Sequence, residues 1–364
     1  MAPTALADTS RHANEFALAV ECCRWTFARG NPEPVRRLAA LVDWARFEQV
    51  TKRHRVEGLV WHCLRSLAVP LPAGSGRVLA ADAAVVAEHN LRAARQSAML
   101  FEAFAQARIP LLFVKGLSLG RLAYGDPFVK MSRDIDMLVP GEAIAAAAAV
   151  LGRLGYSLTL PAVPPQSRAF KRWHRKRKES VWRSPDGLHV ELHSRLADSL
   201  DLIPGIGVGS PRQEVEVAPG IVLPTLAPDE LFAYLCVHGA SSAWFRLKWV
   251  TDLAALLCDC TAAEIARLYE RSQQLGSGRA AGQALLLAAR TYGTAAGGEL
   301  ERRLNRDPVN RWLAEAAWKQ MIRQAEPTEA RFGTATIHWT QLFLLPGARF
   351  KLGELSRQVS DILA

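Results

Sequence analysis

Apolar and polar positions alternate along this chain with two different periods. From residue 15 to 107 the spacing is helical, with apolar side chains recurring every three or four positions. Helices are expected over 15–29, 35–41, 44–54 and 56–67, then one long amphipathic helix over 77–107. The Asn31-Pro32-Glu33-Pro34 segment and the Pro70–Gly76 stretch punctuate them, because proline cannot continue a helix and glycine disfavours one. From residue 109 the period shortens. Pro110 to Val114 is a compact apolar run closed by Lys115-Gly116, and Asp134 to Val139 is a second; both read as buried strands. Further strands are expected over 156–160 and 179–183. Another covers 188–193, where Leu188, Val190 and Leu192 take one face and His189, Glu191 and His193 the other. Short helices fall over 117–124 and 141–154, with Gly155 as a left-handed cap. A basic loop spans 168–178, and a Gly/Pro-rich passage spans 204–220. Helical spacing then returns over 228–238, 247–258, 261–275, 277–292 and 307–324, and in a tail from 334 that breaks at Pro346-Gly347. The chain therefore reads as α+β: a small mixed sheet between helical regions, with domains at 1–107, 108–225 and 226–364.

Composition narrows the class. The chain has 364 residues, 49% of them hydrophobic, enough for a sizeable core. No run approaches the ~18 apolar residues that span a bilayer, and no signal peptide is evident. The six cysteines sit in apolar, helix-like surroundings without a Cys-x-x-Cys pair. Reduced thiols in the cytoplasm are expected, and structural zinc is not. The net charge of +10 suits polyanionic ligands, although an Arg-rich surface alone gives the same total.

The chemistry concentrates between residues 109 and 140. Asp134 and Asp136 lie one residue apart at the start of a strand, so both carboxylates face the same side. Two close carboxylates repel unless a cation or proton intervenes, and a divalent ion such as Mg²⁺ serves when phosphates are also bound. Lys115-Gly116-x-Ser118 marks a strand-to-helix turn whose N–H groups and ammonium can hold phosphate oxygens. Glu191, on the polar face of a later strand, supplies a third carboxylate. Phosphoryl-type transfer uses such a kit, with in-line attack on the α-phosphate of a nucleotide. His189 and His193 flank Glu191 and are read as lying outside the ligand set, because Mg²⁺ prefers oxygen. In the basic loop, Phe170 and Trp173 interleave with the cations, which suits a groove for an acidic or nucleic-acid acceptor. A flap near the triphosphate and a solvated loop are equally open readings.

These residues resemble the polymerase-β-like nucleotidyltransferase superfamily, with its Gly-Ser turn, Asp-x-Asp pair and third acidic strand residue. More closely, the chain resembles an uncharacterised bacterial nucleotidyltransferase family. The matching residues are Lys115-Gly116, Tyr124, Asp126-Pro127, the run Asp134-Ile135-Asp136-Met137-Leu138-Val139, Gly155-Tyr156 and Val190-Glu191-Leu192-His193. His238-Gly239, Trp244, Arg246, Lys248 and Asp252-Leu253 follow the same likeness. The resemblance implies a polymerase-β-like core with catalytic, metal-binding Asp134, Asp136 and Glu191. It implies nucleotide contacts at Lys115, Gly116, Ser118, Arg133, Lys248 and Asp252. It further implies Mg²⁺ or Mn²⁺ as cofactor, an NTP, foremost ATP, as substrate, and an acceptor that is a small molecule, peptide or RNA. The alternatives are a non-catalytic nucleotide- or RNA-binding protein that keeps the fold, and a toxin-like enzyme modifying tRNA or protein.

Overall fold

A computed structural model describes residues 13–165, 167–294 and 297–362. The chain is mixed α+β, with a small mixed sheet flanked by helices. Helices α1 (Ala13–Ala28), α2 (Glu33–Ala39), α3 (Trp44–His54), α4 (Glu57–Ser66) and α5 (Ala73–Gln106) come first. Strand β1 (Leu112–Phe113), helix α6 (Gly116–Tyr124), β2 (Asp134–Leu138), α7 (Ile144–Arg153), β3 (Ser157–Leu160), α8 (Arg168–Lys176), β4 (Glu179–Arg183) and β5 (His189–His193) follow. A hairpin of β6 (Arg212–Ala218) and β7 (Ile221–Leu226) leads into α9 (Pro228–Ser241) and α10 (Leu247–Leu257). The chain then runs through α11 (Ala262–Gln274), α12 (Ala280–Tyr292), α13 (Gly298–Arg306), α14 (Pro308–Met321), α15 (Ala335–Gln341) and α16 (Ala348–Ile362). Two compact units result. Ala87–Tyr234 form one, and the described residues on either side of that span form the other.

In the Ala87–Tyr234 unit the five-stranded sheet has the order β1-β2-β5-β4-β3. Strand β2 runs parallel to β5, with Asp134 opposite His189, Asp136 opposite Glu191 and Leu138 opposite His193. Strand β4 runs antiparallel to β5 and sets Glu179 opposite His193. Because side chains alternate, this register gives the sheet two chemically different faces. Ile135, Met137, Val139, Val190, Leu192 and Trp182 point into a core completed by Leu100 and Phe104 of α5 and by Phe170 of α8. Each such side chain stabilises the fold by about 1.5–3 kcal/mol when fully buried. The opposite face carries Asp136, Glu191, His193 and Glu179. A one-residue slip of β5 would turn Glu191 and His193 into that core.

Two segments differ from expectation. The stretch read as a basic loop over 168–178 is mostly the helix α8, capped by the Ser167 side chain, which accepts from the Phe170 N–H at 3.1 Å. Its Phe170 and His174 are buried one turn apart, and its charged positions face outward. The Gly/Pro-rich passage contains the whole of β6: Val215 and Val217 are buried while Glu214 and Glu216 are exposed. Pro219-Gly220 makes the turn into β7, with Gly220 at φ +75, the left-handed position that a type II turn requires after its proline-favouring one.

The other unit is helical. Helix α1 packs on α2, α3, α4 and α10, and α12 packs on α14. The expected break at Pro346-Gly347 separates α15 from α16, and α13 is a helix the spacing did not reveal. Among the described residues no helix is long and apolar enough to cross a membrane.

Candidate functional site

The polar face of the sheet gathers its ionisable groups by register. Asp136 and Glu191 are direct neighbours on parallel strands, and the sequence places His193 two residues beyond Glu191 on the same face. One ligand atom from each of Asp136, Glu191 and His193 lies within 4.8 Å of the others. Lys115, at the N-terminal end of α6, puts its Nζ 2.8 Å from Asp136 Oδ1. His193 Nε2 stands 3.3 Å from Asp136 Oδ1 and 3.3 Å from Glu191 Oε2. Its Nδ1 is 3.3 Å from Glu179 Oε2, which Lys178 Nζ approaches at 3.0 Å. Three carboxylates thus face two ammonium groups and one imidazole.

The electrostatics follow from that balance. Burial opposes the charge on Lys115, but Asp136, Tyr234 and Glu191 outweigh it and hold the ammonium well above the usual lysine range. Burial likewise opposes ionisation of Asp136, yet Lys115 and the hydrogen bond from His193 keep its carboxyl well below the usual range. Burial would discharge His193; Glu179, Asp136 and Glu191 reverse this and raise it to about 9. Burial also lifts the Tyr234 hydroxyl to about 12. The Asp136 carboxylate is therefore ionised at neutral pH although its side chain is buried. Buried charges of this kind persist only when each has a partner.

The turn before α6 forms the other wall. Lys115, Gly116, Ser118, Ser132, Asp134 and Asp136 line one narrow crevice. Gly116 has φ +63, and a Cβ there would lie 2.9 Å from Ser132 Oγ, so the backbone conformation and the close approach both call for glycine. The Ser118 hydroxyl is buried without a hydrogen-bond partner among the described residues. The segment leading into β2 is fastened from α5, where the buried Asn90 side chain donates to Pro127 O at 3.1 Å and Lys130 O at 2.7 Å. Its amide holds in place the chain that delivers Ser132 and Asp134.

The sequence candidates divide as follows. The crevice brings Lys115, Gly116, Ser118, Asp134 and Asp136 together, and Glu191 meets Asp136 across the strand pair. Asp134 lines the crevice at the strand edge, but it is not one of the three residues whose ligand atoms cluster. Arg133 is exposed at the entry to β2. Lys248 and Asp252 belong to the helical unit, where Asp252 is buried in α10. Trp173 is pinned to the sheet: its indole N–H donates to Glu179 O at 2.7 Å, and Arg177 stacks on its ring at 5.5 Å. His193 was set outside the ligand set, and the structure places it in the middle. The sequence pattern singles out neither Glu179, Ser132 nor Asn90, and marks Lys178 only as the end of the basic loop. Glu179 had a readable signal, since the Asp186-Gly187 turn fixes its register to His193; Asn90 had none.

Two carboxylates and an imidazole around one point, already balanced by cations, are a donor set that suits a divalent ion. Beside them lies a helix N-terminus suited to phosphate. Comparison with curated proteins gives no match. Residues 40–293, more than half of the chain, match the family described as "Uncharacterised nucleotidyltransferase". The chain belongs to this uncharacterised nucleotidyltransferase family.

Proposed function

We propose that the protein transfers an NMP from an NTP, foremost ATP, to an acceptor hydroxyl and releases pyrophosphate in a Mg²⁺-dependent reaction. The observation that carries this reading is the Asp136–Glu191 register pair with the Lys115 ammonium 2.8 Å from Asp136. Asp136 and Glu191, with Asp134 at the crevice edge, would hold Mg²⁺ or Mn²⁺. When bound, that ion supplies charge neutralisation at the phosphate oxygens. The N–H groups at the start of α6 are suited to hold phosphate oxygens of the NTP; the Ser118 hydroxyl, fully buried, lines the same crevice. The bond that forms joins the acceptor oxygen to the α-phosphorus; the one that breaks joins the α-phosphorus to the bridging oxygen of the departing pyrophosphate. Glu191, more solvent-open than Asp136, takes the acceptor's proton. His193 orients Asp136 and Glu191 through its Nε2. Six free cysteines, with Cys22, Cys23, Cys63 and Cys236 buried, support a reducing, cytoplasmic setting.

The test supplies each α-labelled NTP with Mg²⁺ and a host-cell extract as acceptor pool. Wild type should release pyrophosphate and label one acceptor class, and Asp136→Asn should do neither. If wild type and Asp136→Asn behave alike in both readouts, the reading is wrong.

A further inference from the structure

Within the Ala87–Tyr234 unit lies a groove of about 580 Å³ along α8. Its cations are Arg168, Lys171, Arg172 and Arg175 of α8, joined by Arg195; the one carboxylate on its wall is Glu142. The four α8 side chains are exposed. They make no ion pair or side-chain hydrogen bond among the described residues. Positions 168, 171, 172 and 175 share one helix face, and the row runs about 10 Å at 1.5 Å per residue. A single phosphate is satisfied by one or two guanidinium groups. A row of unneutralised cations fits a line of anions, and a nucleic-acid strand offers one every ~3.4 Å of axis.

The groove floor adds a different signal. His174 lines it, is 5% exposed, and its Nε2 has no hydrogen-bond partner. The tautomer follows from its neighbour. Ser194 Oγ donates its hydrogen to Lys178 O at 3.3 Å, so it accepts from His174 Nδ1 at 3.2 Å. Nε2 is then a lone-pair acceptor. Burial and the nearby charges of His193 and Arg195 push its pKa down to about 4, so the ring stays neutral among the arginines. An acceptor set among cations asks for a hydroxyl donor. A ribose 2′-OH supplies one and deoxyribose does not. Trp173 is tied to Glu179 and covered by Arg177, so base stacking is not what the groove offers. Ser194 follows His193 directly, so the groove starts one residue past the imidazole that meets Asp136 and Glu191.

We infer that the groove along α8 binds RNA through its phosphates and a ribose hydroxyl, and that this RNA is the acceptor. The acceptor assignment rests on the nucleotidyl-transfer reading; the RNA site does not. The experiment is fluorescence anisotropy of a short labelled single-stranded oligoribonucleotide on the full-length protein. The controls are the DNA oligomer of the same sequence and a polyglutamate peptide. Four phosphate contacts predict a log–log salt slope of roughly −3 for wild type. The R168A/R172A/R175A variant should lose most of the affinity, at least ~10-fold at moderate salt, and flatten the slope to roughly −1. These exposed replacements leave the core intact, and unchanged binding of a fluorescent ATP analogue verifies that. His174→Phe should keep the slope but erase an RNA-over-DNA preference of about 5-fold, the size of one hydrogen bond. Asp136→Asn should bind RNA as wild type does. If the triple variant binds like wild type, or DNA or polyglutamate binds as tightly as RNA, the inference is overturned. If RNA binding follows these expectations while no NMP reaches the RNA, the groove stands and its assignment as the acceptor site falls.

Discussion

Replacing Lys115 and Asp136 separately and together distinguishes the pair's role in the fold from its role in chemistry. Their charged atoms are 2.8 Å apart and both side chains are largely buried. At that distance the attraction is about 6 kcal/mol with an effective dielectric near 20, most of it offset by desolvation. Removing one partner strands the other, at about 3–5 kcal/mol. Lys115→Met should fall at the low end, because His193 Nε2 still reaches Asp136 at 3.3 Å. Asp136→Leu should fall at the high end, because it strips both Lys115 and His193 of a carboxylate. The double variant Lys115→Met/Asp136→Leu places apolar groups on both sides, so it should be more stable than the sum of the singles by about 3 kcal/mol. Urea unfolding gives the three stabilities, provided the slope with denaturant is unchanged. Pyrophosphate release should not follow this rescue. Every variant lacking Asp136 should fall by roughly 10³-fold, equivalent to about 4 kcal/mol of transition-state stabilisation. Additive stabilities within about 0.5 kcal/mol would show that the two groups do not form a buried pair. Turnover in the double variant would show that Asp136 is not part of the chemistry.

Other consequences can be checked more simply. Asn90→Ala leaves the Pro127 and Lys130 carbonyls without their donor, which should cost about 1–3 kcal/mol in urea unfolding and lower turnover; a loss within the noise would show that the amide does not hold this segment. Gly116→Ala meets φ +63 and a Ser132 hydroxyl at 2.9 Å. The hydroxyl can rotate away, so the cost should be the left-handed backbone, about 1 kcal/mol, together with weaker NTP binding by titration; unchanged binding would argue against the crevice as the phosphate site. Burial and the charges of Arg53 and Arg246 hold His54 well below its usual pKa, and its Nδ1 accepts from the Leu247 N–H. Its neutral form is therefore the folded form, so stability is retained above about pH 6.5 and lost as pH falls towards the folded pKa. His54→Gln should flatten that acid slope in melting curves, and an unaltered slope would refute the assignment. Mg²⁺ at about 100 times its dissociation constant should raise wild-type stability by about 2.7 kcal/mol and leave Asp136→Asn unmoved; equal shifts would place the ion elsewhere.

The sheet and its polar face were legible because β-strand alternation is a local property. Asp134-Ile135-Asp136 and His189-Val190-Glu191-Leu192-His193 each show in sequence which side chains share a face. Alternation cannot say which strands are neighbours. The parallel pairing of β2 with β5 arises from packing across more than fifty residues, and it brings Asp136 beside Glu191 and His193. His193 was set aside for a chemical reason, the oxygen preference of Mg²⁺, and that reason overlooked a second role. A buried imidazole can hold two carboxylates in place whether or not it touches a metal. The basic segment failed differently. Its charge density masked a helical period carried by only two buried residues, Phe170 and His174. Asn90 left no trace, since an amide inside a long helix looks like any polar position until the loop it binds is seen.

The same alternation links the proposed chemistry to the proposed acceptor. Residues 193 and 194 are adjacent, so they point to opposite sides of the strand end. His193 turns toward Asp136 and Glu191, and Ser194 turns toward His174. Glu179 ties the two together, facing His193 through its carboxylate and holding the Trp173 indole through its carbonyl. Helix α8 is thus fastened to the very strands that carry the acids, and a strand of RNA along its cations would be held in fixed register with the carboxylates. Small shifts of α8 should then alter acceptor use more than NTP binding. Trp173→Ala, which removes the indole hydrogen bond without touching a cation or a carboxylate, should raise KM for the acceptor while leaving KM for the NTP within about 2-fold, one net hydrogen bond being worth roughly 1 kcal/mol. Equal changes in both constants would mean that α8 and the carboxylate cluster do not work as one rigid surface.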